Sequence, residues 1–118
     1  MELEEKIKEY KTPLNYEGFE EYYFDNKYNK GKDTWKNQKQ QWCFKFNNGY
    51  GASVIKLFGS YGFEDDLFEL AVIKFTKDNE WELCYSTPIT NDVIGYLSND
   101  DVIEYLHKIQ RLDENGRQ

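Results

Sequence analysis

Between Trp42 and Leu112 the sequence alternates, turns and alternates again, then changes period. Trp42, Phe44 and Phe46 alternate with Cys43, Lys45 and Asn47, the two-residue period of a strand. Asn48-Gly49 is a turn dipeptide, since both residues tolerate positive φ. A second strand is expected over 53–58. The loop Gly59-Ser60-Tyr61-Gly62-Phe63-Glu64-Asp65-Asp66 follows. Leu67 to Thr76 is the most apolar run, which predicts a central strand. After a polar turn at 77–80, Trp81, Leu83 and Tyr85 alternate with Glu82 and Cys84. Val93 to Leu97 offers a short fifth strand. Ser98-Asn99-Asp100-Asp101 then reads as a capping box with Asp101 in the usual Glu position. Val102, Ile103, Leu106 and Ile109 form a stripe at helical spacing. The fold class that follows is α+β. It is a four- to five-stranded antiparallel meander with a C-terminal helix over 99–112 on one face.

The N-terminal third is less regular. Leu3, Ile7 and Tyr10 recur at helical spacing, with acids early and lysines late, as a helix dipole favours. Pro13 ends that short helix. Within 14–41, the cluster Phe19, Tyr22, Tyr23, Phe24 and Tyr28 fits either a short strand or a second short helix. Lys36 to Gln41 is a polar run expected at the surface, and Glu114 to Gln118 a frayed tail. The expected organisation is one domain over 1–118, with its core in 42–112 and a tail at 113–118. A chain of 118 residues can bury roughly two-thirds of its unfolded surface without cross-links.

Charge is unevenly spread. The net charge is −7. Residues 1–24 and 57–118 are acidic, whereas 25–56 hold seven lysines against two acids. Such polarity steers partners more than it shapes a fold. Met1 to Glu5 lacks the apolar run of a signal peptide. No stretch reaches the 18 or so apolar residues of a membrane span. A cytoplasmic protein with no membrane partner is expected.

Groups that could carry chemistry are few. His107 is the single histidine, and Cys43 and Cys84 are the two cysteines. Both cysteines fall in predicted strands, where a thiol behaves as a small apolar group. A structural zinc site needs about four N or S ligands, more than these three side chains supply. Gly59-Ser60-Tyr61-Gly62 is followed by neither a lysine nor a helix start, so it is no phosphate loop. No catalytic residue, metal ligand or cofactor site is expected. Two surfaces remain as binding candidates. The first is the loop with Tyr61, Glu64, Asp65 and Asp66, suited to a protein partner. The second is the lysine–aromatic stretch 27–45, where Lys30, Lys32, Trp35 and Lys36 would combine phosphate contacts with base stacking on single-stranded nucleic acid. An acidic whole weighs against the second.

Two runs carry a resemblance. They are Gly59-Ser60-Tyr61-Gly62 with Leu67-Phe68-Glu69-Leu70-Ala71-Val72, and Cys84-Tyr85-Ser86-Thr87-Pro88-Ile89-Thr90-Asn91-Asp92-Val93-Ile94-Gly95-Tyr96-Leu97. Over about residues 49–112 the chain resembles a recurrent family of small uncharacterised proteins from phages and prophages of low-GC Gram-positive bacteria. The resemblance implies a setting and no site residues. In that setting the expected role is a non-enzymatic binder of a host or phage protein, such as an inhibitor of a host nuclease or defence complex. A nucleic-acid-binding accessory protein, or a small virion or assembly protein whose sheet edge self-associates, are the alternatives.

Overall fold

A computed structural model describes residues 11–25, 40–77 and 80–118. The expected N-terminal helix falls largely on residues 1–10, outside the described residues.

The centre is an antiparallel sheet. Its strands are β1 (Tyr23–Phe24), β2 (Gln41–Lys45), β3 (Tyr50–Ile55), β4 (Phe68–Lys77), β5 (Glu80–Leu83) and β6 (Ile94–Leu97). The helix α1 (Asn99–Gln110) follows. The spatial order is β1-β2-β3-β4-β5, with β6 also paired to β4. β5 lies along Ile73 to Lys77 of β4, and β6 along Phe68 to Leu70. The two short strands therefore run in file down one side of β4, whose other side carries β3. The apolar run of β4 makes it the central strand, as its sequence predicts.

Alternation decides what each face buries. Trp42 and Phe44 of β2, Ala52 and Val54 of β3, and Phe68, Leu70 and Val72 of β4 share one core with Val102, Leu106 and Ile109 of α1. Each of these Phe, Val, Leu and Ile side chains contributes about 1.5–3 kcal/mol of burial before the entropy of ordering it. The opposite face of the central strands is buried as well, at Cys43, Ala71 and Ile73. The helix starts where its cap predicts. Ser98 Oγ accepts from Asp101 N–H at 3.1 Å, and Asp101 Oδ2 accepts from Ser98 N–H at 3.1 Å.

Several boundaries move. The second strand begins at Tyr50 rather than Ser53, because the hairpin closes tightly through Phe46 N–H to Tyr50 O at 2.8 Å. It ends at Ile55, and Lys56 just beyond it is buried. Gln41 is not part of a solvated run but opens β2, its Nε2 donating to Ser53 Oγ at 2.8 Å. The aromatic cluster before residue 25 forms a single 3-10 turn, Glu20–Tyr22, and the two-residue β1. The tail is not frayed. Asp113 Oδ1 accepts from the N–H of Asn115 and of Arg117, both at 2.9 Å, closing a turn with Gly116 buried against Tyr50.

Candidate protein-binding site

The segment between β3 and β4 is a tightly bonded loop. Ser60 Oγ donates to Leu57 O at 2.7 Å and accepts from Leu57 N–H at 3.1 Å. Leu67 N–H donates to Gly62 O at 2.9 Å, and Tyr61 N–H donates to Glu69 Oε1 at 2.9 Å. A short 3-10 turn, Phe63–Asp65, carries the acids, and Phe63 is its buried anchor.

Asp66 leaves that loop turned toward the protein. Its Oδ1 accepts from Lys56 Nζ at 2.8 Å and from Thr12 N–H at 2.8 Å, while Oδ2 accepts from Thr12 Oγ1 at 2.6 Å. Lys56 Nζ also donates to Thr12 O at 2.7 Å and sits 3.8 Å from the centre of the Phe68 ring. The Lys56 side chain is 2% exposed and that of Asp66 is 41% exposed. Burial pulls the Lys56 pKa below its ordinary value, and the bond to Asp66 opposes that pull. For Asp66, burial pushes upward, but the bonds from Lys56 and Thr12 together outweigh it and hold the carboxyl below its ordinary value. Asp66 is thus spent on the fold, whereas Glu64 and Asp65 face solvent. Among the described residues neither of those two carboxylates joins an ion pair.

The loop leans on β6. Tyr96 N–H donates to Tyr61 O at 3.3 Å. Gly62 allows the approach: a Cβ there would stand 3.0 Å from Tyr96 Cα and 3.0 Å from Leu67 Cβ. Gly95 allows the other half, since a Cβ on it would collide with Tyr61 Cβ. The pairing of β6 with β4 shifts register between Phe68 and Leu70, so that Gly95 and Tyr96 both oppose Glu69 as a bulge. Tyr96 occupies the bulge at φ +58°. A side chain in that left-handed region costs about 1–2 kcal/mol. The ring is not spent on the core, being 61% exposed, and Tyr61 beside it is 59% exposed. Tyr96 and the loop from Gly59 to Asp65 line a cavity of about 280 Å³.

Of the sequence candidates, Tyr61, Glu64 and Asp65 come together around this cavity, and Asp66 stands behind them as support. Tyr96 is the member that sequence reasoning missed. Its signal was Gly95, since a glycine inside a strand pattern often marks a bulge. Lys30, Lys32, Trp35 and Lys36 lie outside the described residues. His107 packs edge-on against Phe19 at 4.9 Å. Cys84 Sγ lies 3.5 Å from Ser86 Oγ. Among the described residues no three His, Cys, Asp or Glu side chains cluster as a metal site, and no helix is long and apolar enough to cross a membrane.

Compared with protein-family models, curated proteins and solved structures, the chain finds no match.

Proposed function

We propose that the protein is a non-enzymatic protein-binding module that grips its partner with Tyr61 and Tyr96, flanked by Glu64 and Asp65. The observation that carries this reading is Tyr96. An unfavourable backbone conformation is maintained at a residue whose ring faces solvent, so its use lies outside the fold. Exposed tyrosines are the side chains that anchor protein interfaces. The loop's internal hydrogen bonds leave little to order on binding, which conserves affinity. The two solvent-facing carboxylates favour a partner with basic groups around an apolar spot. In the phage or prophage setting that the sequence resemblance implies, a host nuclease or defence complex with a basic groove fits that description.

The test is a partner isolated by affinity capture from host lysate, purified, and titrated with variants. Tyr61→Ala with Tyr96→Ala should weaken binding at least tenfold, as loss of an interface anchor does at about 2 kcal/mol. Glu64→Lys with Asp65→Lys should slow association, most at low salt. Unchanged binding by both pairs would remove this surface from the interface.

A further inference from the structure

We propose that the outer edge of β5 receives an extended segment of the partner as an added strand, with Lys or Arg at alternate positions. This rests on the protein-binding reading above and names the partner's chemistry. β5 is the terminal strand on its side, and among the described residues no strand pairs with its outer edge. Cys84 N–H donates inward to Val72 O at 2.8 Å. The alternation of an antiparallel ladder then turns the N–H and C=O of Trp81 and Leu83 outward. These are the groups that an added strand would engage.

The edge is continuous with the tyrosine site. Leu83 opposes Ile73, and Tyr96 opposes Glu69, on the same side of β4. Four residue steps along β4 separate the two positions, about 13 Å. Among the described residues, the large apolar side chains left exposed are Phe58, Tyr61, Leu83, Tyr85 and Tyr96. All belong to the β3–β4 loop, β6, or β5 and the residues just after it. One partner segment along β5 would bring its neighbouring surface to Tyr96 and Tyr61.

The sequence of β5 selects which strand can be added. Glu80 and Glu82 share one face, and Trp81 and Leu83 the other. Residues directly opposite in an antiparallel pair also share a face. Two copies of β5 pairing about Glu82 would set Glu82 against itself. Pairing about Trp81 would set Glu80 against Glu82 twice. Like charges directly opposite are destabilising, so the edge resists its own copy in these two registers. On its inner side, Glu82 opposes Lys74 and Glu80 opposes Lys77. A strand with Lys or Arg outside them completes a row of alternating sign, and aliphatic residues between them meet Trp81 and Leu83.

The experiment uses the full chain and end-blocked ten-residue peptides alternating Lys with Val or Glu with Val. The readouts are affinity and amide exchange of Trp81 and Leu83. The Lys–Val peptide should bind and slow exchange at both amides at least tenfold. Its form with alternate backbone amides N-methylated should not. Glu82→Lys should shift preference toward the Glu–Val peptide by roughly fivefold. Leu83→Pro removes an outward N–H that the fold does not use and should abolish peptide binding, as edge strands tolerate proline. Unchanged exchange at Trp81 and Leu83 in millimolar Lys–Val peptide would overturn the proposal. So would a wild-type chain that dimerises through β5. The two readings separate on the captured partner. Binding by Leu83→Pro but not by Tyr61→Ala overturns strand addition alone, and binding as tight as wild type by both variants overturns both.

Discussion

Lys56 Nζ lies 2.8 Å from Asp66 Oδ1, and the pair ties the end of β3 to the loop that carries the tyrosine site. The ammonium is almost wholly buried and the carboxylate is not. That asymmetry makes the two halves of the pair unequal under mutation. Asp66→Ala leaves a buried ammonium with only Thr12 O and the Phe68 ring, and should cost about 1–3 kcal/mol. Lys56→Met leaves a carboxylate that water can reach and keeps the Phe68 ring covered, so it should cost less. Thermal melts of the two variants give the order directly.

The same pair sets a pH dependence. The folded Asp66 carboxyl titrates below its unfolded value. The stability it gives is therefore complete above about pH 4 and is lost as pH falls through the lower folded value. In urea midpoints measured from pH 7 down to pH 2, the gap between wild type and Asp66→Asn should be widest at neutral pH and close at the acid end. A gap that stays constant would mean that Asp66 is not held in this way.

Asn48 acts through its side chain as well as its turn. Its Nδ2 donates to the carbonyls of Ile109, Gln110 and Leu112 at 2.9, 3.3 and 2.8 Å, closing the C-terminal end of α1. Asn48→Asp removes the donor and places a negative charge on the negative end of the helix. It should destabilise by about 2 kcal/mol. Asn48→Ala should cost less than Asn48→Asp, since it removes the donor without adding the charge. Leu106→Ala, at the fully buried centre of the same helix, should cost about 2–5 kcal/mol.

Cys43 and Cys84 are both buried, with no disulfide between them. Under native conditions each should react with a thiol reagent far more slowly than in denaturant. Rapid native labelling of either would show that the structure around it opens readily.

The parts of the fold that were legible in the sequence are those where periodicity acts alone. The alternation of Trp42, Phe44 and Phe46 marks β2. Ser98 with Asp101 marks the start of α1, and Val102, Leu106 and Ile109 mark its buried stripe. What escaped was decided by side chains meeting across the chain. A lysine in a sequence reads as solvated, and nothing near Lys56 announces that Thr12 and Asp66 will converge on it. Asn48 reads as a turn residue, yet only Gly49 of the pair takes positive φ. Its capping bonds reach more than 60 residues onward. The site was half legible. Tyr61, Glu64 and Asp65 stand in a loop that composition singles out, whereas Tyr96 joins them only through the bulge and the glycine packing.

The most direct test of the protein-binding account places a photo-crosslinking residue at Tyr96, and as a control at Arg111, an exposed position at the end of α1. Each chain is irradiated in cell lysate with and without excess unlabelled competitor. The account predicts one protein captured at position 96, not at 111. Wild type should compete that capture away, and the Tyr61→Ala, Glu64→Lys chain should not. Capture at 111 alone, or equal competition by wild type and variant, would contradict it.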